Sequence, residues 1–322
     1  MTLVQAVNSA LSVEMHKNER IILLGEDIGP NGGVFRATEG LYDNFGAKRV
    51  IDTPLSESGI IGIAIGMSLY GLKPVVEIQF MDFIFPAFDQ IVSEMAKFRY
   101  RSGGMYTCPI VVRAPYGGGI KGASYHSQSG ETHFVHTAGL KVIAPSTPYD
   151  TKGLLISAMR DPDPIIFFEP KRLYRSVKGE VPEEDYTIPI GKANVIMKGD
   201  DVTVITYGPT LPVTREAAKR AEDEGISVEL IDLRSLSPLD TGTILDSVKK
   251  TGRVSIIHEA PKTLGMSAEI SALIAEKALD YLEAPVQRVT GLDAPFPYTL
   301  EKEYLIHSDR ILKQIRATTQ YS

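Results

Sequence analysis

The sequence predicts an α/β protein of two doubly wound domains, and three observations carry that prediction. Short apolar runs that end at a glycine or a polar residue alternate with stretches of helical apolar spacing along nearly all of the 322 residues. The alternation breaks once, between Glu169 and Asp201, where charges, prolines and lone turn residues gather, as in Val177–Tyr186. A chain of this length also divides naturally into two domains at roughly 150 residues each.

Each element follows from its own pattern. Leu3, Val7, Ala10, Leu11 and Val13 recur at helical spacing up to Lys17, and the run Ile21–Leu24 then stops at Gly25 as a buried strand does. Pro74–Ile78 reads as a strand, Phe85–Tyr100 as a helix, Ile110–Arg113 and Lys141–Ala144 as strands, Asp150–Met159 as a helix and Ile165–Phe168 as a strand. Beyond the break the alternation resumes with a strand over Val202–Thr206, a helix over Leu211–Glu224, a strand over Ser227–Ile231 and a helix near Ile244–Lys249. Val254–His258 and Val286–Val289 then read as strands on either side of a helix over Ser267–Tyr281. The tail from Ala294 carries a helix around Tyr304–Arg316 with little of its own to bury, so it is expected to pack on another surface, a partner's included. The boundaries that result are a first domain over 1–180, a linker over 181–200 and a second domain with the tail over 201–322.

Composition removes several classes of function. The net charge is −6 and the basic residues are scattered, which argues against nucleic-acid binding. The single cysteine, Cys108, excludes an intrachain disulfide and any Cys-based metal cluster within the chain, and makes a reducing compartment the default. No apolar run approaches the ~18 residues that span a bilayer, and the N-terminus has neither a basic leader nor an apolar signal core.

Three segments could carry chemistry. Asp52-Thr53-Pro54-Leu55-Ser56-Glu57-Ser58-Gly59 leads into an almost wholly apolar helix with small residues at Gly62, Ala64 and Gly66. Glu57 could be a simple dipole partner there, but a helix apolar all round is expected to be buried, and a desolvated carboxyl at its mouth suits proton chemistry on a heterocycle. Gly117, Gly119 and Gly122 formally match the dinucleotide fingerprint G-x-G-x-x-G, yet Pro115 and Tyr116 separate them from the strand and no helix follows. In the same loop His126 lies among hydroxyl and amide side chains, either as a proton donor and acceptor near neutral pH or as a structural histidine. His126, His133 and His136 fall within eleven residues but lack the spacing and carboxylates of a metal motif. The third segment, Glu77–Gln90, brings four aromatics to the end of a strand, as either core or a seat for a flat ring.

Together, Asp52–Gly66, Glu77–Gln90, Tyr125–Ser129 and Phe167–Arg175 resemble the beta subunits of the thiamine-diphosphate-dependent decarboxylating component of 2-oxoacid dehydrogenase complexes. The resemblance spans the chain. Glu-Ile-Gln-Phe, Phe-Pro-Ala-Phe-Asp-Gln, Tyr-His-Ser-Gln-Ser and Phe-Phe-Glu-Pro-Lys look most like the branched-chain enzymes, with pyruvate and acetoin dehydrogenases as near alternatives.

The resemblance implies a pyrimidine-binding domain followed by a transketolase C-terminal-like domain. It implies that Glu57 bonds the aminopyrimidine ring nitrogen of the cofactor, promoting the tautomer that deprotonates the thiazolium. Phe83 would pack on the pyrimidine, Gln79 would approach its edge, and His126 would stand near the thiazolium. A structural potassium ion is implied at Ile110, Val111, Ala158, Asp161 and Asp163, mainly through backbone carbonyls, although Val111 and Asp163 depart from the branched-chain pattern of threonine and asparagine. The Mg²⁺-binding Gly-Asp-Gly motif of such enzymes has no full counterpart, since Gly199-Asp200-Asp201 lacks the second glycine. Mg²⁺ and the diphosphate half of the site are therefore expected from an alpha subunit, in a heterotetramer of two alpha and two beta chains that acylates the lipoyl groups of an acyltransferase core.

A split transketolase-type carboligase and a non-catalytic docking subunit are the alternatives. Met1 directly before the first helix favours a prokaryotic cytoplasm over a processed chain of the mitochondrial matrix.

Overall fold

A computed structural model of the chain describes residues 1–321, which group into two compact units. The first comprises Met1–Tyr116 and His133–Ile190, the second Gly117–Thr132 and the described residues from Gly191 onward.

The first unit is built on six parallel strands, β1 (Ile21–Gly25), β2 (Val50–Asp52), β3 (Lys73–Glu77), β4 (Val111–Tyr116), β5 (Lys141–Ile143) and β6 (Ile165–Pro170), in the order β5-β6-β4-β3-β1-β2. β1, β4 and β6 are buried at every position, which is why they read as unbroken runs and not as alternations. The helices Leu3–Lys17 and Pro148–Arg160 share one apolar core with β1 and β6, in which Leu3, Val7 and Leu11 join Leu154, Leu155, Leu23 and Phe167. Thr2 and Gln5 form a reciprocal capping box at the first helix, and Thr147 caps the second ahead of Pro148.

Register sets where the loops emerge. Gly25 lies beside both Asp52 and Glu77, and Glu77 beside Arg113. The carboxyl ends of β1, β2 and β3 thus form one edge, the place where open α/β sheets bind ligands. Beneath it, Arg113 is fully buried, donating to Glu77 at 2.8 Å and to both oxygens of Glu169 at 2.6 and 3.0 Å, while the Tyr174 hydroxyl also donates to Glu169.

In the second unit β7 (Asn194–Met197), β8 (Val202–Thr206), β9 (Val228–Asp232), β10 (Val254–His258) and β11 (Gln287–Thr290) run in the order β11-β10-β8-β9-β7. All pairs are parallel except the antiparallel edge strand β7.

Four details correct the sequence reading. The stretch Phe85–Tyr100 is not one helix. Pro86, which lacks an N–H, leaves a short 3₁₀ turn at Phe85–Ala87, a π-turn follows at Gln90–Met95, and a single α-turn closes at Phe98–Arg101. Within 181–200, Asn194–Met197 is a strand on β9. Its half-exposed edge position hides the apolar signal. The short strand β2 and the one-turn helix Leu41–Phe45 leave too few residues for a period to register. Finally, the tail helix divides into Glu301–Tyr304 and Ser308–Thr319, and the latter packs on its own unit. Ile311, Leu312 and Ile315 are buried with Val204, Ala217, Ala218 and Ile257, a narrow stripe that suffices because Arg316 pairs with Glu224 and Arg220 with Asp309 at the rim.

Candidate active site

Glu57 is the first residue of the helix Glu57–Leu69, with Ser56 at its N-cap, and is only 9% exposed. The helix is not buried all round. Glu57, Ile60, Ile61, Ala64, Ile65 and Ser68 face inward, whereas Ile63 is 57% exposed and Tyr70, just past the end, is 91% exposed. With Gly62 and Gly66 between them, Ile63 and Tyr70 leave one face of the helix open on the unit.

The same sheet edge gathers the other residues of the first unit. Ile78 N–H donates to Arg113 O at 2.9 Å, prolonging β3 and delivering Gln79 just beyond it. The Gln79 amide donates to Asp27 Oδ2 at 3.0 Å. Phe83, half-buried, meets Phe80 edge to face at 5.4 Å. Partial burial, and then the charges of Glu57 and Asp27, hold the Glu26 carboxyl above its usual range, against a hydrogen bond from the Ser56 backbone. Three carboxylates, Glu26, Asp27 and Glu57, therefore share this edge with an amide and an aromatic ring. Glu26 and Asp27 escaped the sequence reading, although an acidic pair directly after a buried strand and its closing Gly25 was the available signal.

His126 belongs to the second unit. It is half-buried and follows the short turn Ala123–Tyr125. His133, by contrast, is used in aromatic packing, edge-on to Phe85 at 5.8 Å and to Phe88 at 6.3 Å. Gly199-Asp200-Asp201 is a turn into β8, with Asp201 accepting the Ser227 N–H at 2.7 Å and Asp200 facing Lys250 at 3.7 Å.

Among the positions expected to hold potassium, the two carboxylates are already paired. Lys141 Nζ lies 2.7 Å from both oxygens of Asp161 and 3.2 Å from Asp163, which Arg99 also binds at 2.5 Å. The carbonyls of Ile110 and Ala158 each accept one N–H, from Ile165 and Asp161, and each retains a second lone pair. This donor set suits a weakly held monovalent ion on main-chain oxygens and not a carboxylate-bound divalent one.

Residues 1–177 match the family described as transketolase, pyrimidine binding domain, and residues 191–311 match transketolase, C-terminal domain. The 2-oxoisovalerate dehydrogenase subunit beta of Bacillus subtilis is 50% identical, covering 100% of this chain and 99% of the relative. Its mitochondrial counterpart from Dictyostelium discoideum is 53% identical over 100% of this chain and 87% of its own length. The pyruvate dehydrogenase E1 component subunit beta of B. subtilis is 48% identical over 100% and 99%. A solved split gene transketolase, an inactive beta4 tetramer, superposes with a TM-score of 0.82 over 100% of this chain and 99% of that one at 22% identity, which is a likeness of fold. With transketolase-type domains in this order, and about half its residues shared with such subunits along its full length, the chain belongs to the family of 2-oxoacid dehydrogenase beta subunits.

Proposed function

We propose that this chain, together with an alpha subunit, carries out the oxidative decarboxylation of a branched-chain 2-oxoacid and the reductive acylation of lipoyl groups on an acyltransferase core. The observation that carries the reading is Glu57. It is a nearly buried carboxyl at the mouth of a helix whose Gly62, Ile63, Gly66 and Tyr70 face is open, on the sheet edge that also presents Gln79 and Phe83.

The first unit fits half of the cofactor. A carboxyl hydrogen-bonds a ring nitrogen, an aromatic side chain packs on the ring face, and an amide serves the ring edge, so Glu57, Phe83 and Gln79 would hold the aminopyrimidine. When bound, thiamine diphosphate supplies the nucleophilic carbon and the electron sink for loss of carbon dioxide. Glu57 would exchange a proton with the ring nitrogen through a carboxyl oxygen, with the Glu26 carboxyl beside it on the same edge. His126 holds or moves a proton on an imidazole nitrogen during acyl transfer, while the lipoyl disulfide is the oxidant and is reduced to a thioester and a thiol. The alpha subunit supplies the Mg²⁺ and diphosphate contacts and covers the open helix face, in a heterotetramer of two alpha and two beta chains. Potassium would be held by the carbonyls of Ile110, Val111 and Ala158, with the Asp161 and Asp163 segment alongside.

The test is dye-coupled decarboxylation by the chain mixed with its alpha subunit, Mg²⁺ and thiamine diphosphate, with 2-oxoisovalerate and pyruvate compared. Turnover of 2-oxoisovalerate in the mixture, and in neither subunit alone, supports the reading. Preference for pyruvate would move the substrate to that of the 48% identical relative, and a stable complex without turnover of either acid would overturn the reading.

A further inference from the structure

The glycine-rich turn from Gly117 to Gly122 has the backbone of an anion-binding nest, and its anions come from its own chain. Gly117, Gly119, Lys121 and Ala123 have φ of 79°, 96°, 58° and 54°, and alternation of this kind turns successive N–H groups toward one side. Glu259 Oε1 accepts the Gly118 N–H at 2.7 Å. Glu301 Oε1 accepts from Gly119 at 2.9 Å and from Lys121 at 3.0 Å, and its Oε2 lies 3.1 Å from the same Lys121 nitrogen. Both carboxylates are buried. Phe296 seals the turn, since a Cβ on Gly118 would fall 2.2 Å from its ring, and Ser124 Oγ donates to the Phe296 carbonyl at 3.0 Å. At the far end of the loop the Tyr207 hydroxyl donates to the buried carboxyl of Glu131.

All these groups lie in the second unit, and the loop they hold carries His126. Lys121 and Ala123 sit in the left-handed region that side chains avoid, so the turn keeps this shape only while something over-determines it. Two carboxylates accepting main-chain N–H groups do so.

We infer that Glu301, seconded by Glu259, is a positioning residue for His126: their carboxylates fill the nest in place of an external anion and fix the loop that presents the imidazole. The catalytic half of this rests on the role proposed above for His126. The same geometry accounts for the glycine spacing without a dinucleotide, because the N–H groups a pyrophosphate would need are already taken.

The experiment compares wild type, Glu301→Ala and Glu301→Gln in the complex with the alpha subunit, by amide hydrogen exchange of the peptide spanning the turn and by steady-state kinetics. In Glu301→Ala, exchange of that peptide should quicken by about tenfold or more. Its kcat should fall by about tenfold, while KM for the 2-oxoacid stays within about threefold. Glu301→Gln keeps one acceptor oxygen and should recover part of both effects. Unchanged exchange in Glu301→Ala would overturn the anchoring, and faster exchange with unchanged kcat would overturn the positioning. If Glu301→Ala does not fold, Ser124→Ala loosens the same turn from its other side and is read by the same two criteria. If the wild-type complex turns over no 2-oxoacid, the proposed activity fails separately, and the exchange comparison still decides whether the carboxylates hold the loop.

Discussion

Glu57 and Glu26 illustrate how one residue's chemistry depends on its neighbour. A carboxylate in the first helical turn is an ordinary dipole partner, but Glu57 is nearly buried, and its charge adds to partial burial in raising the Glu26 carboxyl above its usual range. Glu57→Gln retains the shape and loses the transferable proton, so the complex should assemble as wild type by sedimentation while kcat falls by about 100-fold or more. His258 gives a second prediction. Burial pushes its imidazole down to about 4, with Ser267 Oγ at 2.8 Å as its partner. Between that value and the ordinary value near 6.5, the unfolded chain takes the proton and the folded chain refuses it. The contribution is therefore complete above about pH 6.5 and is lost as pH falls toward 4, by about 3 kcal/mol in all. Urea unfolding at stepped pH should show that slope, and His258→Gln should flatten it. Glu131 acts with the opposite sign, because burial raises its carboxyl and its contribution is lost as pH rises through the folded value. Glu57 was singled out in the sequence as an acid at the mouth of an apolar helix, and Gln79 and Phe83 by the aromatic segment that follows the strand β3 and by the resemblance. Glu259 and Glu301 were not, because they meet the glycine turn across 141 and 182 residues of chain.

Elements differ in how much of their packing the sequence discloses. The tail helix Ser308–Thr319 looked too polar to stand alone, yet Ile311 and Ile315 are fully buried. Ile315→Ala should cost about 2–5 kcal/mol in guanidinium unfolding, a loss that a helix reserved for a partner would not show in the isolated chain. The helix Glu57–Leu69 errs the other way. Its composition announced burial on every side, and within its own unit one face is open. Ile63→Arg should leave the stability of the chain within about 0.5 kcal/mol and abolish co-elution with the alpha subunit. The π-turn at Gln90–Met95 was invisible, since one extra residue in a turn displaces the apolar period without erasing it.

At the scale of the whole molecule, the alternation of strands and helices predicted two α/β sheets, and the topology has them. What alternation could not predict was that Gly117–Thr132, which leaves β4, would group with the second unit through bonds that span 76 to 182 residues of chain. That assignment depends on buried carboxylates and one phenylalanine, not on any local pattern. The potassium proposal is also tested at this scale. Replacing sodium by potassium at constant ionic strength should raise the thermal midpoint by about 2 °C or more, as expected for a ligand that binds the folded chain alone. Equal midpoints would remove the ion from the reading.

The buried trio beneath the sheet edge constrains the history of the chain as well as its stability. Arg113 answers Glu77 and Glu169 at once, and all three are shut away from water. Losing Arg113 alone leaves two buried carboxylates without their cation at a cost of about 3–5 kcal/mol, whereas a well-packed apolar set in place of all three could be neutral. A lineage drifting by single substitutions would cross the costly intermediate before reaching the neutral alternative. The tolerance of Glu77 and Glu169 for replacement is thus set by whether Arg113 is still there to be answered.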